Sequence, residues 1–96
     1  MLDTRDTLDS LDRLSDAGDT DGILDVLLEG WEDDYEDGRA LLLRRLLADH
    51  ATAEPQAAAR RAQIVYRTLI GFGEELADMR WVRLAVECRD ALLYGY

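Results

Sequence analysis

Six apolar residues late in the chain set the terms for everything else. Ala58, Ala62, Val65, Leu69, Phe72 and Leu76 are spaced 4, 3, 4, 3 and 4. That rhythm places all six on one face of an α-helix and on neither face of a strand. A heptad-like seam of this kind, small at one end and large at the other, asks for another helix to pack against. The rest of the chain answers in the same period. Leu8, Leu11 and Leu14 recur in steps of three, Leu42, Leu43, Leu46 and Leu47 make a third stripe, and Trp81, Leu84, Ala85, Cys88 and Leu92 make another, widened by Val82, Val86 and Leu93. No segment alternates as a strand would. The expected fold class is all-α, an antiparallel bundle of four to five helices in a single domain spanning 1–96, because short connections between helices make sequential neighbours antiparallel.

Punctuation divides the stripes. The first helix is expected over 4–17, with Asp3 as its cap, Asp6 in its first turn and Gly18 as its stop. Thr20 is expected to cap the second. Leu24, Leu27, Leu28, Trp31 and Tyr35 share a face, so the second helix is readable as far as Tyr35. An alternative has Asp33 or Asp34 capping a third helix, with Glu36 and Asp37 in its first turn. The helix macrodipole favours that alternative, since acids belong at N-termini. The third helix is expected to end near His50. Pro55 suits the first turn of the fourth, where its missing N–H costs nothing. Asp78 is expected to cap the fifth.

Charge is the second constraint. The chain carries 21 acids against 11 bases, a net of −10. Every base is arginine. From Met1 to Asp37 there are fourteen acids and two arginines, and from Gly38 to Tyr96 seven acids and nine arginines, so the halves carry −12 and +2. An acidic front repels nucleic acid and anionic lipid and favours a basic partner. Salt adaptation of the whole protein would also produce a dense carboxylate surface. The arginine pairs Arg44-Arg45 and Arg60-Arg61 do not offset a balance that opposes counterion release, so direct nucleic-acid binding is not expected. No run approaches the length of a membrane span, and the acidic start Met1-Leu2-Asp3 is unlike a secretory signal. A cytoplasmic setting, without membrane attachment, is the expectation, and one free cysteine fits a reducing compartment.

Two corners share a pattern. Asp16-Ala17-Gly18-Asp19-Thr20-Asp21-Gly22-Ile23 and Glu75-Leu76-Ala77-Asp78-Met79-Arg80-Trp81-Val82 each set a small residue and an aspartate between helices. Each resembles the turn of a tetratricopeptide helical hairpin. Their separation of 59 residues is not that family's period, and no peptide-binding groove is carried over.

The catalytic inventory is thin. His50 is the only histidine and Cys88 the only cysteine. His50 sits near a helix end, and Cys88 lies on an apolar stripe, where a thiol acts as a small hydrophobe. Ser10 and Ser15 lie in an acidic helix that disfavours an alkoxide. Two acidic loops ending at Gly22 and Gly38 lack the closing bidentate acid of a calcium loop, since Leu28 and Arg44 stand there. No enzyme, metal or cofactor is expected.

Partner binding is the remaining class. Glu29, Trp31, Glu32, Asp33, Asp34, Tyr35, Glu36 and Asp37 form the leading constellation, with six acids around two aromatics of the type that anchor interfaces. The rival reading buries both aromatics and leaves the acids merely solvated. Arg80, Arg83 and Arg89 around Trp81 form a second surface that would suit the acidic front of another copy. The leading expectation is a non-enzymatic adaptor or assembly component that binds a protein with a basic surface and self-associates through the heptad seam. The alternative is a small acidic inhibitor that imitates nucleic acid in a partner's basic groove.

Overall fold

Three of the five α-helices among the described residues start on an aspartate, and the computed structural model describes residues 8–96. A short 3-10 turn at Leu8–Ser10 leads into α1 (Leu11–Asp16). Then follow α2 (Thr20–Leu27), α3 (Tyr35–Thr52), α4 (Pro55–Leu76) and α5 (Met79–Tyr94). No strand occurs among the described residues, and the fold is an all-α bundle. The expected cap Asp3 and the expected first-turn acid Asp6 lie outside the described residues. Leu8 lies in the 3-10 turn and Leu11 and Leu14 in α1, and Leu8 and Leu11 are buried.

Four boundaries differ from expectation, the first being that residues 8–10 of the expected 4–17 helix form a 3-10 turn and α1 begins only at Leu11. The cap of α2 is Asp19, whose carboxylate accepts from the Gly22 amide at 2.9 Å, and Thr20 is the first helical residue. α2 stops at Leu27 instead of reaching Tyr35. Gly30, at φ +81°, takes a left-handed conformation that other residues adopt only with strain. Asp34 then caps α3, accepting from the amides of Glu36 at 2.9 Å and Asp37 at 3.4 Å. The alternative favoured by the macrodipole is the one realised. α3 runs two residues beyond His50, to Thr52. Pro55 opens α4 and Asp78 caps α5, accepting from the Arg80 amide at 3.0 Å.

The two corners of similar sequence are built alike. Gly18 at φ +70° precedes the cap Asp19, and Ala77 at φ +56° precedes the cap Asp78. Ala77 does without glycine in a left-handed position, at a cost of order 1 kcal/mol.

α4 and α5 form the most extensive packing pair. Gly73 lets them close at the corner: a methyl group there would sit 3.0 Å from the Trp81 Cβ and 3.2 Å from the Asp78 carbonyl. α3 packs on the other side of α5. Tyr35 meets Arg80, Arg39 meets Glu87 and His50 meets Leu92, so α3 and α5 run side by side in the same direction while α4 returns between them in the chain. α1 and α2 lie on α4. The seam residues Ala58, Ala62, Val65 and Leu69 are all buried within this fold, together with Leu11, Leu27, Leu42, Leu46, Leu84, Cys88 and Leu92. The seam is therefore consumed inside one chain and is not a free face for self-association. Its last residue, Leu76, is 52% exposed.

Polar ties hold the elements in register. Arg45 of α3 donates to the Val26 carbonyl at 3.1 Å, supplying a cation to the C-terminus of α2, whose own last turn has none. Arg61 of α4 meets Asp49 of α3 at 2.6 Å, with both side chains almost wholly buried. Arg60 reaches Asp12 at 3.3 Å and ties α4 to α1. No helix among the described residues is long and apolar enough to cross a membrane.

Candidate functional site

The leading constellation straddles the turn from α2 to α3, and the turn separates its aromatics from its acids. Gly30 reverses the chain. Trp31 then lies over Gly38, where any side chain would collide with the indole, and Tyr35 stands 5.7 Å from it, ring centre to ring centre. Trp81 lies 5.1 Å from Trp31 and 5.5 Å from Tyr35, and Phe72 packs edge-on to Trp81 at 5.0 Å. Such ring pairs contribute about 0.5–1.5 kcal/mol each beyond the area they bury. Trp31 and Tyr35 are half-buried and Trp81 is buried, so the cluster fastens the turn to α4 and α5.

Tyr35 is fixed twice more. Its hydroxyl donates to the Arg80 carbonyl at 3.0 Å, and the Arg80 guanidinium lies 4.7 Å over its ring. Burial, then the nearby Glu87 carboxylate, push the phenol above its ordinary range. A chain that sequence reading divides into two surfaces therefore brings them together: Tyr35 of the first touches Arg80 and Trp81 of the second.

The acids point the other way. Asp16, Asp19, Asp21, Asp25, Glu29, Glu32, Asp33, Asp34, Glu36 and Asp37 are all exposed. No arginine occurs between Leu14 and Gly38. Only Asp19, Asp34 and Glu36 have local polar work, the first two as caps and Glu36 at 3.7 Å from Arg39. The remaining carboxylates of this stretch make no ion pair among the described residues, so their charge is available to a partner.

The arginine surface divides. Arg80 forks onto Asp78, at 2.8 Å from Nη2 to Oδ2. The side-chain hydrogen bond between them holds the Asp78 carboxyl below its usual range and lifts the guanidinium. Arg89 lies on the other side of α5, 4.9 Å over the Tyr66 ring and 3.5 Å from Asp90. Trp81 is buried and not presented. Arg83 is exposed and makes no ion pair among the described residues. It lines a groove of about 440 Å³ between α3 and α5, together with Tyr35, Glu36, Arg39, Arg80 and Glu87. Across that groove Arg39 forks onto Glu87, its Nε at 2.9 Å from Oε1. The hydrogen bond to Arg39 draws the Glu87 carboxyl down, and the Arg39 guanidinium rises in return.

The two residues with catalytic chemistry do not line this groove. Cys88 is buried, and desolvation pushes its thiol up to about 12, which leaves it protonated and unreactive. His50 is half-buried at the end of α3. A carbonyl can only accept, so its Nδ1 carries the proton donated to the Leu92 carbonyl at 2.8 Å. His50 thus satisfies a last-turn carbonyl of α5. Among the described residues no three of His, Cys, Asp and Glu gather as a metal-ligand set.

The Arg39–Glu87, Arg61–Asp49 and Arg45–Val26 contacts carry no sequence signal, because each depends on which helix lies beside which. No protein-family model matches this chain, nor does any curated protein or solved structure in the comparisons made with it.

Proposed function

We propose that the protein is a non-enzymatic binding module that engages a basic surface on another protein through the carboxylates of α2 and the α2–α3 turn. The observation that carries this reading is the division of labour in the turn: Trp31 and Tyr35 hold it in place from inside, and Glu29, Glu32, Asp33 and Asp37 stand exposed around it. A rigid turn presents its charges without losing much entropy on binding, and a rim of one sign raises the rate of encounter with a partner of the other. The role is that of an adaptor or assembly component.

The extent of the charge favours a second reading. Ten exposed acids without one arginine among them, from Asp16 to Asp37, offer a basic groove the same sign that a nucleic-acid backbone offers. In that version the protein is an inhibitor whose partner ordinarily binds nucleic acid.

The test is affinity capture with the wild-type chain and with E29Q/E32Q/D33N, which spares the caps Asp19 and Asp34. A partner with a strongly basic surface, retained by the first and lost by the second, supports the reading. Equal recovery by both would refute it. Displacement of that partner by a DNA or RNA duplex separates the inhibitor from the adaptor.

A further inference from the structure

The groove between α3 and α5 holds one charge without an ion pair among the described residues, Arg83, and one, Glu36, that is only loosely tied to Arg39. Arg39 and Glu87 neutralise each other across it, and Arg80 is committed to Asp78 and the Tyr35 ring. Arg83 on the α5 wall has no ion pair among the described residues. Glu36 on the α3 wall has a side chain 75% exposed and approaches Arg39 only to 3.7 Å. These two are of opposite sign, line one groove from opposite walls, and do not pair with each other.

We propose that this groove is the interface of a two-fold homodimer in which Arg83 of each copy pairs with Glu36 of the other. A purely basic partner would satisfy Glu36 and repel Arg83, and a purely acidic one would do the reverse. A surface that satisfies both must carry both charges at this same separation, and this chain presents such a surface. A two-fold axis through the groove exchanges its walls and makes the contact self-complementary, as closed symmetric pairs require. Both residues stand on helical walls, and the half-buried Tyr35 lines the groove with them. The net charge of −10 opposes the approach of two copies. Physiological salt screens that repulsion beyond about 8 Å and leaves contact pairs less affected. The association is therefore weak and concentration-dependent.

The test is sedimentation velocity on the intact chain from about 10 µM to about 1 mM, near the millimolar end of measurable affinity. Wild type shifts from monomer to dimer over that range. R83E and E36R each weaken the dimer at least tenfold, because each homodimer then opposes like charges, while circular dichroism shows both still folded. An equimolar mixture of R83E and E36R regains the dimer, since every introduced charge then faces its opposite. A wild-type chain that stays monomeric to 1 mM overturns the proposal, as does a dimer untouched by either swap or a mixture that fails to recover. The residues tested here are not those removed in the capture experiment, so loss of the dimer and loss of the basic partner are separate outcomes.

Discussion

The two ends of this chain meet the same physical demands by opposite means. From α3 onward the helices are 18, 22 and 16 residues long. They pack through buried stripes, and Arg39, Arg60 and Arg61 pair with acids on neighbouring elements. α1 and α2 are 6 and 8 residues long, too short to be stable alone. They lie on α4, bury Leu11, Ile23, Val26 and Leu27, and leave Asp16, Asp21 and Asp25 exposed. One region spends its charges on the fold, and the other keeps them for the surface. The lesson is that net charge by half of the sequence says less than where the opposite charges sit. The back holds nine of the eleven arginines and ties several of them into the fold, and the exposed acids of α2 and the turn after it have few cations beside them.

Substitutions break that comparison most sharply in the core of the back. Leu84→Ala on α5, fully buried, is expected to lose about 3–4 kcal/mol in urea unfolding, and Leu24→Ala on α2, half-buried, less than half as much. Equal losses would mean that the front is as deeply integrated as the back. Next comes the buried ion pair. Asp49→Ala leaves Arg61 without its 2.6 Å carboxylate and is expected to cost about 2–4 kcal/mol, whereas Asp25→Asn on the exposed face of α2 is expected to change the midpoint hardly at all.

Glycine and alanine swaps sharpen the picture at about 1 kcal/mol. Ala77→Gly removes the left-handed strain before α5 and is expected to gain up to about 1 kcal/mol. Gly71→Ala has open space around the new methyl group and is expected to gain about 0.5–1 kcal/mol by helix propensity. Gly73→Ala, two residues on, meets Trp81 and is expected to destabilise. Thermal melts of the three variants would check the signs.

The pattern of what the sequence disclosed follows from this division. Ala58, Ala62, Val65 and Leu69 were legible as an inward face because burial is periodic, and Asp78 and Pro55 because caps and breakers act locally. The continuation of Leu24, Leu27 and Leu28 into Trp31 and Tyr35 misled, because a shared periodicity spans two helices once Gly30 turns the chain between them. The ridge of Arg80, Arg83 and Arg89 was legible as a group only on a straight list. On α5 the three face different neighbours, and no spacing rule states whether Glu87, Asp78 or Tyr66 waits opposite. For the candidate site, sequence names residues but does not say which way each faces or what lies opposite it.

Titration offers a gentler probe of the back. The folded Cys88 thiol titrates near 12 against about 9 when unfolded. Its contribution is therefore complete below pH 9 and is lost as the pH rises toward 12. Glu87 runs the opposite way. Its folded carboxyl is depressed by Arg39, so its contribution is present at neutral pH and is lost as the pH falls through the folded value. Urea midpoints against pH would show both edges. Alkylation of Cys88 by iodoacetamide is expected only once the protein is unfolded.

The most direct measurement removes the front's charge and asks whether the fold notices. Asp16, Asp25, Glu29, Glu32 and Asp33 would be converted together to their amides, leaving the caps Asp19 and Asp34 and the first-turn acids in place. Urea unfolding of this variant is expected to give a midpoint equal to or above that of the wild type, since like-charge repulsion is relieved and no ion pair is lost. A loss of about 2 kcal/mol or more would contradict the account, because it would make these acids part of the scaffold and not of the surface it presents.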